Sequence, residues 1–128
     1  MIVADSDVLI DYLRGVDPSA SRVEIELGTR SFATTTVTAF ELWAGAKSRK
    51  QSSAVELLLA AMTILVLDEE SARAAADVKQ KLIARGEEIG SADCLIAGIC
   101  IASRATLLTN NRKHFERVDG LKLSLGAR

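Results

Sequence analysis

A chain of 128 residues, 48% apolar and 26% charged, is long enough for one packed core and too short for two domains of ordinary size, and it lies outside the disordered compositional range. A formal net charge of -1 excludes a global basic field, so a nucleic-acid partner has to be held by a local patch or through cations. The longest apolar stretch, around Cys94 to Ala102, is too short for a bilayer and contains Gly98, which excludes a transmembrane segment.

Along the chain, Ile2-Val3-Ala4 reads as a buried strand that stops at Asp5 and feeds a helix carrying Val8, Leu9, Tyr12 and Leu13 up to Gly15. Asp17 reads as an N-cap and Pro18 as the first position of a second helix, which runs to about Leu27 and ends at Gly28. Ser31 to Thr36, rich in threonine around Phe32, suits a second strand. A third helix from about Thr38 to Lys47 and a fourth from about Ser52 to Met62 are joined by the polar SRKQ stretch. Thr63 to Leu67 is the clearest buried strand, and Asp68 caps a long helix with Ala72, Ala75, Ala76, Val78, Leu82 and Ile83 on its apolar face, ended by Gly86. Ser91 is placed to cap a further helix carrying Ala92, Leu95, Ile96, Ile99 and Cys100. Ala105 to Thr109 forms a fourth strand, Asn110-Asn111 a turn or short helix, and Leu121 to Leu125 a fifth strand after the Asp119-Gly120 turn.

Short apolar strands alternating with helices define an α/β fold, with a parallel sheet covered on both faces and residues 1–128 as one domain. Cys94 and Cys100 match neither a CxxC redox pair nor a zinc half-site and read as buried thiols in a reducing compartment. The opening MIVADSDVLIDYLRG has no basic region and an acidic residue after four positions, so no secretory signal is expected and the expected location is cytoplasmic.

In a parallel α/β sheet the active crevice lies beyond the carboxyl ends of the strands. Asp5, Asp7, Glu41, Asp93 and Asn111 all fall where strand ends meet helix starts. Carboxylates converging there repel one another unless a cation neutralises them, and an all-oxygen donor set suits Mg²⁺ or Mn²⁺, which activates water against a phosphoryl group. Each residue also has a structural reading. Thr38-Ala39-Phe40-Glu41 is a well-formed capping box, Asp93 complements a helix dipole, Asp11 lies on a solvated face beside Arg14, and Ser6 caps the helix that follows it. Asp5 is hardest to explain structurally, because a carboxylate ending a buried strand needs compensating charge or hydrogen bonds.

Four segments in order carry a family resemblance: I-V-A-D-S-D-V-L-I around Asp5, T-A-F-E-L-W-A-G around Glu41, I-G-S-A-D-C-L-I-A around Asp93, and L-T-N-N-R-K-H-F leading to Leu121. Together they resemble the PIN-domain ribonucleases, and in particular the VapC-type toxins of type II toxin–antitoxin systems. The resemblance implies a three-layer α/β/α fold with a central parallel sheet of about four to five strands. It makes Asp5, Glu41 and Asp93 metal ligands and Asn111 the fourth catalytic position, with Asp7 offsetting the charge lost where many relatives have aspartate. The implied activity is Mg²⁺- or Mn²⁺-dependent cleavage of RNA, and the implied partners are a cognate antitoxin and a second copy of the chain in a homodimer.

Ser6 matches the family's hydroxyl beside the first aspartate. His114, the only histidine, reads as a surface residue in a charged segment, while Arg112, Lys113 and Arg117, or Ser48, Arg49 and Lys50, are candidates for RNA phosphate contact or simple solvated faces. Phe40 and Trp43 either fill the core or form partner contacts. Two rival readings are a phosphatase using Asp5 as nucleophile, for which Asp5-Ser6-Asp7 supplies the spacing, and a catalytically inactive PIN-like RNA-binding module.

Overall fold

The computed structural model describes residues 1–124. Its elements are β1 (Ile2–Ala4), α1 (Ser6–Leu13), α2 (Ser19–Leu27), β2 (Phe32–Thr35), α3 (Thr36–Gly45), α4 (Arg49–Ala60), β3 (Thr63–Leu65), α5 (Glu69–Ala84), α6 (Ser91–Ser103), β4 (Thr106–Leu108), α7 (Arg112–Phe115) and β5 (Lys122–Ser124). The strands form one sheet in the order β3-β2-β1-β4-β5. Every pairing is parallel. This is the α/β/α sandwich that the alternation of strands and helices predicts.

The pleat divides the core. Val3, in register with Ala33 and Leu107, faces one side and packs with Val78, Leu82, Ile96, Cys100 and Phe115 of the layer built on α5 and α6. Ala4, in register with Leu108, faces the other side with Val8, Leu9, Val23, Leu42, Val55 and Leu58. Residues alternate between faces along a strand, so three-residue strands suffice to serve both layers. Cys94 and Cys100 are free and buried, as expected.

Several boundaries differ from those expected, each for a local reason. β3 lies at the sheet edge, with Thr63 exposed and Val66 and Leu67 exposed beyond it, so its apolar run is not a buried strand. Pro18 occupies the N-cap of α2 rather than its first helical position, although the Asp17 carboxylate still accepts from the Ser21 N–H at 2.8 Å. α4 begins at Arg49, because Ser48 accepts from the Gln51 N–H at 3.1 Å and turns the supposed linker into helix. Gly90, not Ser91, is the N-cap of α6. The Ser91 hydroxyl instead accepts from Lys79 Nζ at 2.9 Å. Leu125, the expected end of β5, lies outside the described residues.

The most consequential shift is at α3. Thr35, whose backbone still pairs with Leu65 in the sheet, is the N-cap, and its hydroxyl accepts from the Thr38 N–H at 3.0 Å. Thr38 is therefore the third helical residue, and Glu41 is a full turn into the helix. The capping-box reading of Glu41 is lost with that register.

Candidate functional site

The carboxyl ends of β1 and β4 bring together residues more than a hundred positions apart. Asp5 leaves β1 as the N-cap of α1, its backbone N–H donating to the Leu108 carbonyl at 2.9 Å. Its carboxylate accepts from the Ser6 N–H and from the Thr109 hydroxyl, each at 2.8 Å. Thr109 also accepts from the Asn111 N–H at 2.9 Å, so one fully buried hydroxyl fixes both the first aspartate and the loop after β4. Ser6 is thus a donor in the first turn, not the cap expected of it.

Asp5 is only 4% exposed. Burial, followed by the negative charge of Asp7, pushes its carboxyl up to about 7, with a smaller push from Asp93 and partial relief from Thr109 and Ser6. Burial likewise raises Asp7, offset by the Asn110 N–H that donates to it at 3.1 Å. Asp5, Asp7 and Asp93 therefore share one electrostatic neighbourhood.

Asp93, in the first turn of α6, meets His114. His114 Nδ1 lies 2.9 Å from Asp93 Oδ2 and 2.9 Å from Asn111 Nδ2. The surface reading of His114 holds in part: 44% of its side chain is exposed, yet its ring contacts Asp93 of α6, and the neighbouring Phe115 is fully buried. Asn111 reaches the site through the His114 ring and through Thr109, not through a contact with Asp5.

Glu41 is placed differently. No hydrogen bond or ion pair among the described residues joins it to Asp5 or Asp93. Its Oε1 is buried without a partner, and the side chain lines a groove of about 190 Å³ with Ile10, Arg14, Leu42 and Val55.

Sequence reasoning missed a second network. Asp11, expected on a solvated face, accepts from Ser19 Oγ at 2.8 Å and from Asn110 Nδ2 at 3.1 Å. Asn110 thereby staples α1, α2 and the loop after β4 beneath Asp7. Arg112 pairs with Glu116 at 2.9 Å and Arg117 lies 4.0 Å from Glu87, both at the surface. Phe40 and Trp43 are 70% and 44% exposed, which removes the core-filling reading.

Among the described residues no three His, Cys, Asp or Glu side chains close into a ready-made metal cage. Asp7 Oδ1 and Glu41 Oε1 are nonetheless buried without hydrogen-bond partners, and Asp5 feels two neighbouring carboxylates. Buried unpaired oxygens and mutually repelling carboxylates suit a hard divalent cation, and Mg²⁺-like ions bind through few protein oxygens while water completes the shell.

A PIN domain model matches residues 2–121. Ribonuclease VapC1 of Methanocaldococcus jannaschii is 35% identical over 124 residues, covering 95% of this chain and 85% of its own length. Ribonuclease VapC19 of Mycobacterium tuberculosis is 30% identical over 124 residues, covering 95% and 98%. Among solved structures, VapBC2 from Rickettsia felis bound to a promoter DNA fragment superposes with a TM-score of 0.86 at 26% identity, covering 97% of this chain and 98% of the other. DNA-bound VapBC from Salmonella typhimurium gives 0.84 at 22% identity, with 96% of each chain covered.

Proposed function

Because the chain belongs to the PIN-domain family, we propose that it is a divalent-metal-dependent endoribonuclease and the toxin half of a toxin–antitoxin pair. Relatives named as ribonucleases, and solved neighbours that are toxin–antitoxin complexes, support the reading. Residues 1–128 act as one domain, which pairs with a cognate antitoxin and with a second copy of itself. Its site of action on this reading is the cytoplasm; among the described residues no helix is long and apolar enough to cross a membrane.

The observation that carries the chemistry is Asp5, a carboxylate at the carboxyl edge of the sheet raised first by its burial and then by the charge of Asp7, with a smaller push from Asp93. Asp5, Glu41 and Asp93 would hold Mg²⁺ or Mn²⁺, with Asn111 and Asp7 completing the surroundings. The bound ion supplies Lewis acidity for attack of water on an RNA phosphodiester and for the charge that builds on its oxygens. The protein's own contribution is preorganisation. Ser6 and Thr109 lock the Asp5 carboxylate, His114 holds Asp93, and the Asn110 backbone restrains Asp7. Relatives named as ribonucleases favour this reading over the phosphatase one.

Replacing Asp93→Asn tests the reading. The first turn of α6 keeps its shape while the site loses a charge, so RNA cleavage in Mn²⁺ should fall by orders of magnitude with little change in melting temperature. Cleavage equal to wild type would overturn the site assignment.

A further inference from the structure

The only histidine of the chain sits against a carboxylate assigned to the metal. From this arrangement, which rests on the metal-dependent reading above, we infer that His114 is a positioning residue: its Nδ1–H holds Asp93 Oδ2 and leaves Asp93 Oδ1 as the oxygen presented to the cation.

Three observations converge on this role. First, Nδ1 lies 2.9 Å from both Asp93 Oδ2 and Asn111 Nδ2, yet a neutral ring nitrogen carries either one hydrogen or one lone pair. An ionised carboxylate only accepts, so contact with Asp93 requires the hydrogen on Nδ1. The Asn111 amide, whose two ends have the same shape, then turns its oxygen toward the ring and shares that hydrogen. Second, the ring is held from behind. Phe115 is fully buried among Ile96, Cys100 and Val118, the Phe115 N–H reaches the Asn111 carbonyl at 3.4 Å, and Asn111 is itself tied to Thr109. Third, the chain Asp5–Thr109–Asn111–His114–Asp93 is continuous. The first and third carboxylates of the site are therefore registered to each other through hydrogen bonds of 2.8 to 2.9 Å rather than by the cation alone. An amide at Asn111 is consistent with this use, since an aspartate there would set a second carboxylate against the same ring edge.

A partner that orients a metal-holding carboxylate tunes metal affinity, typically by about 10–100-fold. The test is calorimetric titration of Mn²⁺ into the purified full chain. Wild type should bind. His114→Phe keeps the ring but loses the donor and should bind about 10–100-fold more weakly. His114→Asn carries an N–H near the position of Nδ1 and should recover most of the affinity, whereas His114→Gln, whose donor falls near Nε2, should not. Equal affinity in wild type and His114→Phe overturns the inference while leaving the nuclease reading standing; absence of Mn²⁺ binding in wild type overturns both. A measurement on the unaltered protein guards against a variant that does not fold. In ¹⁵N spectra of the single imidazole, the neutral ring should be the Nδ1–H tautomer, and an Nε2–H ring overturns the inference directly.

Discussion

Asp5 makes its demands measurable through protons. In the unfolded chain its carboxyl titrates near the ordinary 3.8, and in the folded, metal-free chain near 7. Between those values the folded state holds the extra proton, so raising the pH through this window removes stability, and above about 7 the loss is complete. At about 1.4 kcal/mol per pH unit the total is on the order of 4 kcal/mol. Asp5→Asn abolishes the effect without removing an acceptor for the Ser6 N–H, and the Thr109 hydroxyl can turn to accept from the new amide. Urea midpoints measured in chelator should therefore be similar for the two proteins near pH 4 and clearly higher for Asp5→Asn at pH 8. Parallel curves across the range would show that Asp5 is not destabilised in the fold.

At the scale of elements, the contact between α5 and α6 turns on one glycine. A Cβ on Gly98 would sit 2.6 Å from the Ala75 nitrogen and the Ser71 carbonyl oxygen, and 2.7 Å from the Ala75 Cβ. Backbone atoms cannot swing aside as a side-chain tip does, so the two helices would have to part. An alanine in place of an exposed helix-interior glycine gains about 1 kcal/mol. Here the sign should reverse, with Gly98→Ala losing roughly 1–3 kcal/mol in chemical denaturation. An unchanged or raised midpoint would mean that the helices are not in such close contact.

The same scale explains what the sequence did and did not disclose. Strand and helix order was legible because apolar blocks such as Ile2-Val3-Ala4 and the α5 repeat have periods that belong to one element type. Helix starts were less so: Thr34-Thr35-Thr36-Val37-Thr38 offers several hydroxyls able to cap, and only the pairing of Thr35 with Leu65 decides which one ends the strand. The same ambiguity made Glu41 look like a capping residue. Asp5, Asp93 and Asn111 were legible as a set because each follows or opens an element. The roles of Thr109, Asn110 and His114 were not, since their partners lie 104, 103 and 21 positions away and no local pattern encodes such contacts.

At the scale of the whole molecule, one group of exposed apolar side chains lies around α3. Thr36, Phe40 and Trp43 share one face of α3, and the Leu67 N–H donates to the Thr36 hydroxyl at 3.2 Å, which brings the exposed Val66-Leu67 segment to the start of that face. Such a patch marks a contact surface. On the toxin–antitoxin reading, adding the cognate antitoxin should shift the emission of Trp43, the sole tryptophan, to shorter wavelength and slow hydrogen exchange in α3. Emission and exchange that stay as in the free chain would remove α3 from the interface.

The central place of β1 in the sheet has a further consequence during synthesis. β1 is made before β4, one of its two neighbours, and the Asp5 carboxylate has no Thr109 hydroxyl until the segment 104 positions later has also left the ribosome. A growing chain that ends before Thr109 holds Asp5 and Asp93 without the hydrogen-bonded loop that registers them. On the nuclease reading, topology therefore delays arming: the two carboxylates are registered to each other only after the chain has been made past Thr109.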